Sequence, residues 1–286
     1  MKVYNCFQFF NELDTLEIRL QENWNCTDYF VIAESNHTHT GKEKSYILLD
    51  NWERFKPYAE KIRRIQVDET LEEQAQYFPG ETPEWVREKY QRFALKKGLY
   101  DMEPEDLVII SDLDEVPRSE AIQAIKEDQN NYDRYLLNIP QFHFRLNFMR
   151  IKPVTKYANI MVVRGRAFTN PMQEREYTFP WFKPPQDSVF LDHGGWHFTW
   201  LGDNTANLVK LESICHIDAN TEELRQRYNV DWMIENKLGR EGEKGDERFE
   251  WVKLDEYFPK CILENKEKYQ HLIIPDGEFT VEDLYG

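Results

Sequence analysis

Residues 106–118 read DLVIISDLDEVPR, and this stretch limits what the chain can fold into more than any other. Leu107, Val108, Ile109 and Ile110 form a short apolar run rich in β-branched residues, the pattern of a buried central strand. The run ends in Asp112, Asp114 and Glu115, and Pro117 stops its continuation. Carboxylates packed this closely repel, and each raises the other's pKa unless something positive sits among them. Residues two apart on a strand end point to the same side. Asp112 and Asp114 can therefore face one oxygen-preferring cation such as Mg²⁺ or Mn²⁺, and such an ion can bridge a diphosphate.

The segments before this strand supply its neighbours. KVYNCFQFF, DYFVIAE and IRRIQVD read as strands, and ELDTLEIRLQEN and NWERFKPYAEK read as helices between them. TPEWVREKYQRFALKKGL is the clearest helix. Thr82 suits its cap, Pro83 its first position and Gly98 its exit, and Val86, Tyr90, Phe93 and Ala94 form its apolar face. Alternation of this kind predicts an α/β fold, a mixed and mainly parallel sheet flanked by helices. Ligands in such sheets bind beyond the carboxyl ends of the strands. Glu34 and Asp112 both stand at such ends, which predicts one shared crevice.

The second half is richer in β formers. RYLLNIPQFHFRLNFMR and IMVVRGRAF read as strands, YTFPWFKPPQ as an aromatic loop, and DHGGWHFTWLG as a strand entered through two glycines. NTEELRQRYNVDWMIENK reads as helical, and the charged, Gly-rich residues 238–249 as a mobile surface loop. No linker signal divides the chain. The expectation is one continuous domain over 1–286, with about 1–118 a nucleotide-binding half and about 119–286 an acceptor-side half.

Charge and cysteine usage narrow the function. Fifty-two acids against 36 bases give a formal net charge of -16, the wrong sign for nucleic acid as a partner. None of the four cysteines forms a C-x-x-C pair, so free thiols in a reducing compartment are expected. The N-terminus lacks the apolar core of a signal peptide and no stretch approaches a membrane span, so the expectation is a soluble cytoplasmic protein.

His197, in GGWHFTW, suits a transition metal as neutral imidazole, with His193 and His216 as competitors. Gly194 and Gly195 would let the backbone come close to a bound group. Arg92 and Lys210 are basic candidates for neutralising a diphosphate. Trp181, Phe182, Trp196 and Trp200 read equally as core or as platforms for sugar rings. DLDEV also matches the Asp-x-Asp-x-Val nucleophile motif of haloacid-dehalogenase-like phosphatases. Those enzymes need a later acidic pair after a buried strand, and the nearest, GDERFE, follows no strand signal.

FQFFNELDTLEIRL, FVIAESNHTHTGKEK, REKYQRFALKKGL, DLVIISDLDEVPR and GGWHFTW together resemble glycosyltransferase family 17, in the same order over roughly residues 7 to 200. The resemblance implies a GT-A-type fold, a UDP-sugar donor (UDP-GlcNAc), a carbohydrate acceptor, a divalent metal (Mn²⁺ or Mg²⁺) and inversion at the anomeric carbon. Asp112 and Asp114 then match the metal and diphosphate motif, and His197 a metal-binding histidine. Glu12, Glu17 and Arg19 match the N-terminal block, and Glu34 the second strand; Glu12 and Glu34 are expected to bind the donor nucleotide together with Arg92, Asp112 and Lys210. Asp192, beside HGGWHF, is the expected general base, followed by Glu174 and Glu115. The alternatives are the phosphatase and a non-catalytic sugar- or nucleotide-binding module.

Overall fold

Apolar runs bounded by polar turns become the strands of two sheets in the computed structural model, which describes residues 1–153, 158–217, 220–275 and 277–285. The first sheet is built from β1 (Val3–Gln8), β2 (Tyr29–Ser35), β3 (Ile62–Val67) and β4 (Leu107–Ile110), joined by β6 (Arg134–Asn138), β9 (Ala158–Arg164) and β10 (Ser188–Leu191). Its order is β10-β6-β9-β4-β1-β2-β3. β1 lies parallel to β2 and β4, β2 to β3, and β10 to β6, while β9 runs antiparallel to β4 and β6. The predicted mixed, mainly parallel sheet is thus the one observed. β4 is fully buried, as expected for a central strand covered on both faces.

The second sheet, unforeseen as a separate layer, contains β5 (Glu115–Pro117), β7 (Gln141–His143), β8 (Phe148–Lys152), β11 (Gly195–Thr199) and β12 (Arg248–Trp251) in the order β12-β8-β7-β11-β5. β4 belongs to the first sheet and β5 to the second, so the turn carrying Asp112 and Asp114 spans the junction between them. β11 pairs antiparallel with β5, setting His197 opposite Glu115.

Helices position the junction. The Pro83–Ala94 helix starts on Pro83 as expected, but Thr82 makes no side-chain cap bond. Its apolar residues Val86, Tyr90 and Ala94 are buried, and so are Glu88, Gln91 and Arg92, which a purely amphipathic reading would leave in solvent. Gly98 ends a following 3-10 turn. A Cβ there would lie 2.4 Å from Val31 Cγ1, so this glycine lets the turn pack on β2. The two glycines before His197 serve the same end. A Cβ on Gly195 would meet the Val116 carbonyl oxygen at 2.1 Å, and one on Gly194 would meet Leu137 Cβ at 2.5 Å. The expected approach to a ligand is instead an approach to neighbouring strands.

Residues 238–249 also differ from the expected surface loop. Leu238 and Phe249 are buried, and β12 begins at Arg248. Isolated apolar residues among charges hide both the strand and its packing. Of the four aromatics left open, Trp196 and Trp200 are buried, whereas Trp181 is 74% exposed and Phe182 40%. All four cysteines are free and buried. No helix among the described residues is long and apolar enough to cross a membrane.

Candidate active site

The Asp112–Asp114 turn is built around a buried arginine. Arg19, from the Leu13–Asn23 helix, sends Nη1 to the carbonyl oxygens of Asp112 (2.5 Å), Leu113 (3.2 Å) and Glu115 (3.1 Å). Its Nη2 donates to Asn5 Oδ1 (2.6 Å) and Ser111 Oγ (2.8 Å). Burial pulls the Arg19 pKa down to about 9, still cationic at neutral pH. A rigid fork can satisfy this many acceptors at once, which a lysine cannot. The turn's carbonyls therefore point inward, and its carboxylates are left for the cavity.

That cavity has a volume of about 520 Å³, and its walls include Glu12, Arg92, Asp112, Asp114, His197 and Lys210. All six were singled out from sequence, and they come from five segments far apart in the chain. Asp112 accepts from Arg92 Nη2 at 2.9 Å and Arg175 Nη2 at 2.8 Å. Burial alone pushes its carboxyl up, but Arg175 and Arg92 outweigh burial and hold it well below the usual carboxylate range. Asp114 accepts from Lys210 Nζ at 3.1 Å, and its Oδ1 lies 3.6 Å from His197 Nε2. Burial again raises the carboxyl, and Lys210 followed by His197 brings it below its ordinary value. Lys210 also lies 3.3 Å from Glu12 Oε1. Burial opposes the ammonium charge, yet Asp114 and Glu12 raise its pKa overall. The positive groups that the acid cluster requires are thus two arginines and a lysine.

Other expected residues stand elsewhere. Glu34 is buried and does not share the crevice with Asp112. It accepts from Lys44 Nζ at 3.0 Å and from the backbone N–H of Ile47 at 2.5 Å, and it is Lys44 that reaches the cavity wall. Glu115 is buried behind Asp112, where Arg175 and Asn159 hold it. Glu174 is fully buried on Arg134, with its carboxylate also accepting from the Thr169 N–H. Asp192 accepts from Asn138 Nδ2 at 2.8 Å and does not line the cavity. The expected bases are thus absent from this wall, because buried arginines engage Glu115 and Glu174 and a strand-end amide engages Asp192. His193 packs against Tyr257 and Tyr285, while His216 lines the cavity beside Trp85.

Sequence reasoning missed Arg175 and Arg240, both in the wall. Arg175 follows the singled-out Glu174 in a short helix, and Arg240 lies within the supposed surface loop. Nothing in their local sequence marks them. Glu88 and Gln91 line the wall beside Arg92, and their sequence positions did not single them out.

The donor chemistry bears on a metal. Among the described residues, no cluster of three or more His, Cys, Asp or Glu side chains is arranged to hold one. Asp114 Oδ1 and His197 Nε2 nevertheless stand 3.6 Å apart, a separation that one ion with ~2 Å bonds can span. These two donors fit an ion that completes its shell with ligand oxygens and water. Asp112 has its two oxygens on guanidinium groups instead.

Over residues 1–237 the sequence matches the model of glycosyltransferase family 17. The chain belongs to that family. Among curated relatives, the human β-1,4-mannosyl-glycoprotein 4-β-N-acetylglucosaminyltransferase is 24% identical over 306 aligned positions, covering 95% of this chain and 55% of the relative. The rat protein of the same name is also 24% identical, with 95% and 54% covered. The chain thus spans about half the length of the curated relatives it matches. Among solved structures, the galactosyltransferase LgtC in complex with donor and acceptor sugar analogues shares 12% identity. That match covers 77% of this chain and 84% of that chain with a TM-score of 0.31, too loose a likeness to carry weight.

Proposed function

We propose that this family 17 chain is a metal-dependent, inverting glycosyltransferase of GT-A type that moves GlcNAc from UDP-GlcNAc to a carbohydrate hydroxyl. The observation that carries the reading is the convergence of Asp112, Asp114, His197, Arg92, Arg175 and Lys210 on one cavity. Sugar transfer from a nucleoside diphosphate needs charge stabilisation on the departing diphosphate. Arg92 and Arg175 are buried and Lys210 is partly buried, all three at hydrogen-bonding distance from the acidic turn. Each can pass a donor bond from carboxylate to phosphate when the donor enters. Arg92 and Arg175 suit phosphate oxygens through their planar forks. Mn²⁺ or Mg²⁺ held by Asp114 and His197 would supply Lewis-acid stabilisation of the same leaving group. The names of the human and rat relatives support GlcNAc as the sugar.

A phosphatase would use Asp112 as a free nucleophile. Both of its oxygens are engaged by guanidinium groups, which favours the transferase.

The donor is tested by calorimetry with UDP-GlcNAc and GDP-mannose in excess Mn²⁺. UDP-GlcNAc binds more tightly on this reading. Equal or reversed affinities contradict the donor assignment.

A further inference from the structure

A second cavity of about 440 Å³ opens beside the first. It shares three wall residues with it, Glu12, Trp200 and Lys210. The first cavity gathers more cations than anions. The second is balanced, with Arg54, Arg145 and Lys210 against Glu12, Asp14 and Asp203. Much of that charge is already paired. Arg54 binds Asp14 and Glu17, and His271 lies 3.0 Å from Asp14. A wall of compensated donors and acceptors suits a neutral polyhydroxyl ligand better than a phosphate.

Trp200 stands where the cavities meet, and its backbone is unusual. Its φ is 56°, a left-handed conformation that a bulky residue adopts only under strain. Such strain persists where the surroundings over-determine it, and it clusters at ligand sites. Here the ring carries Arg240, from the wall of the first cavity, at 4.9 Å and Lys210, from the walls of both, at 5.5 Å from its centroid, so cation-π contacts hold it.

We propose that the second cavity is the acceptor subsite, that it takes a neutral pyranoside, and that Glu12 is the base receiving its proton. The proposal rests on the first cavity being the donor site. Among the described residues, Glu12 is the one carboxylate in the walls of both cavities. Lys210 Nζ lies 3.3 Å from Glu12 and 3.1 Å from Asp114, so a single ammonium separates Glu12 from the acidic turn. In the reaction the acceptor oxygen forms a bond to the anomeric carbon. The bond from that carbon to the diphosphate oxygen breaks, and its electron pair leaves with UDP. The hydroxyl proton goes to the Glu12 carboxylate. Attack from the side opposite the diphosphate inverts the configuration.

The test uses the full chain, UDP-GlcNAc, and methyl mannoside, galactoside, glucoside and N-acetylglucosaminide as acceptor probes. Wild type transfers to at least one of them. Glu12→Gln lowers kcat by at least ~100-fold, as expected for loss of a general base, with UDP-GlcNAc affinity kept within about threefold. Ala206→Met adds bulk at an exposed position in the wall of the second cavity only. It raises KM for the pyranoside more than ~10-fold, the scale of one misfit group in a pocket, with UDP-GlcNAc affinity unchanged. Donor binding without transfer to any probe overturns the acceptor assignment. So does Glu12→Gln with near-normal kcat, or Ala206→Met with unchanged KM. Absence of UDP-GlcNAc binding to wild type overturns the donor reading instead.

Discussion

Asp112 shows how far a single residue depends on chain distant from it. Its carboxylate is held by Arg92 from one helix and Arg175 from another, more than sixty positions onward. Those guanidinium groups depress its pKa against the opposing effect of burial. The linkage has a definite sign. A carboxyl whose folded pKa lies below its unfolded value of about 3.9 contributes stability that is fully present above that value. The contribution is lost as pH falls through the folded value. Asp112→Asn removes it, so the difference in urea midpoint between wild type and variant is largest at neutral pH and shrinks as pH drops below about 4. A difference that stays constant between pH 7 and pH 3 contradicts the pairing. Six site residues were legible in sequence: Asp112 and Asp114 from their place after a buried strand, Arg92 and Lys210 from their charge near the proposed site, and Glu12 and His197 from family-like motifs. Arg175 and Arg240 were not, because a basic residue in a polar segment looks the same whether it faces solvent or a cavity. The carboxylates chosen as bases stand off the cavity wall for the converse reason. Glu174 lies in a charged segment, yet tertiary folding buries it fully on Arg134.

At the scale of elements, β11 governs the position of His197. The strand lies so close to β5 that a side chain on Gly195 would overlap the Val116 carbonyl, in a register that sets His197 opposite Glu115. Gly195→Ala forces one strand to move. Overpacking of this kind typically costs roughly 1–3 kcal/mol, and urea unfolding measures it. A variant as stable as wild type shows that the two strands are not held at this separation. Local pattern revealed β1 to β4: β1, β2 and β4 are largely apolar and buried, and β3, IRRIQV, carries β-branched residues among its charges. The same logic missed β10 and β12. SVFL and RFEW are short and half-exposed, so their strand character comes from pairing with β6 and β8 rather than from local pattern.

Across the whole molecule, two sheets meet at one acidic turn, and the proposed chemistry sits where they meet. The division into sheets was not readable from sequence, since β4 and β5 are separated only by residues 111–114 and read as one strand with a ragged end. The central claim is that Asp114 and His197 join the nucleotide through a divalent ion. A thermal melt with and without Mn²⁺ plus UDP tests it most directly, because a ligand bound only by the native state raises the midpoint. At about a hundredfold excess over Kd the stabilisation is roughly 2.7 kcal/mol, a shift on the order of 5 °C for a chain of this size. The account predicts that wild type shows this shift, that omitting Mn²⁺ removes most of it, and that Asp114→Ala abolishes the Mn²⁺-dependent part. An Asp114→Ala variant that keeps the full Mn²⁺-dependent shift of wild type would contradict it.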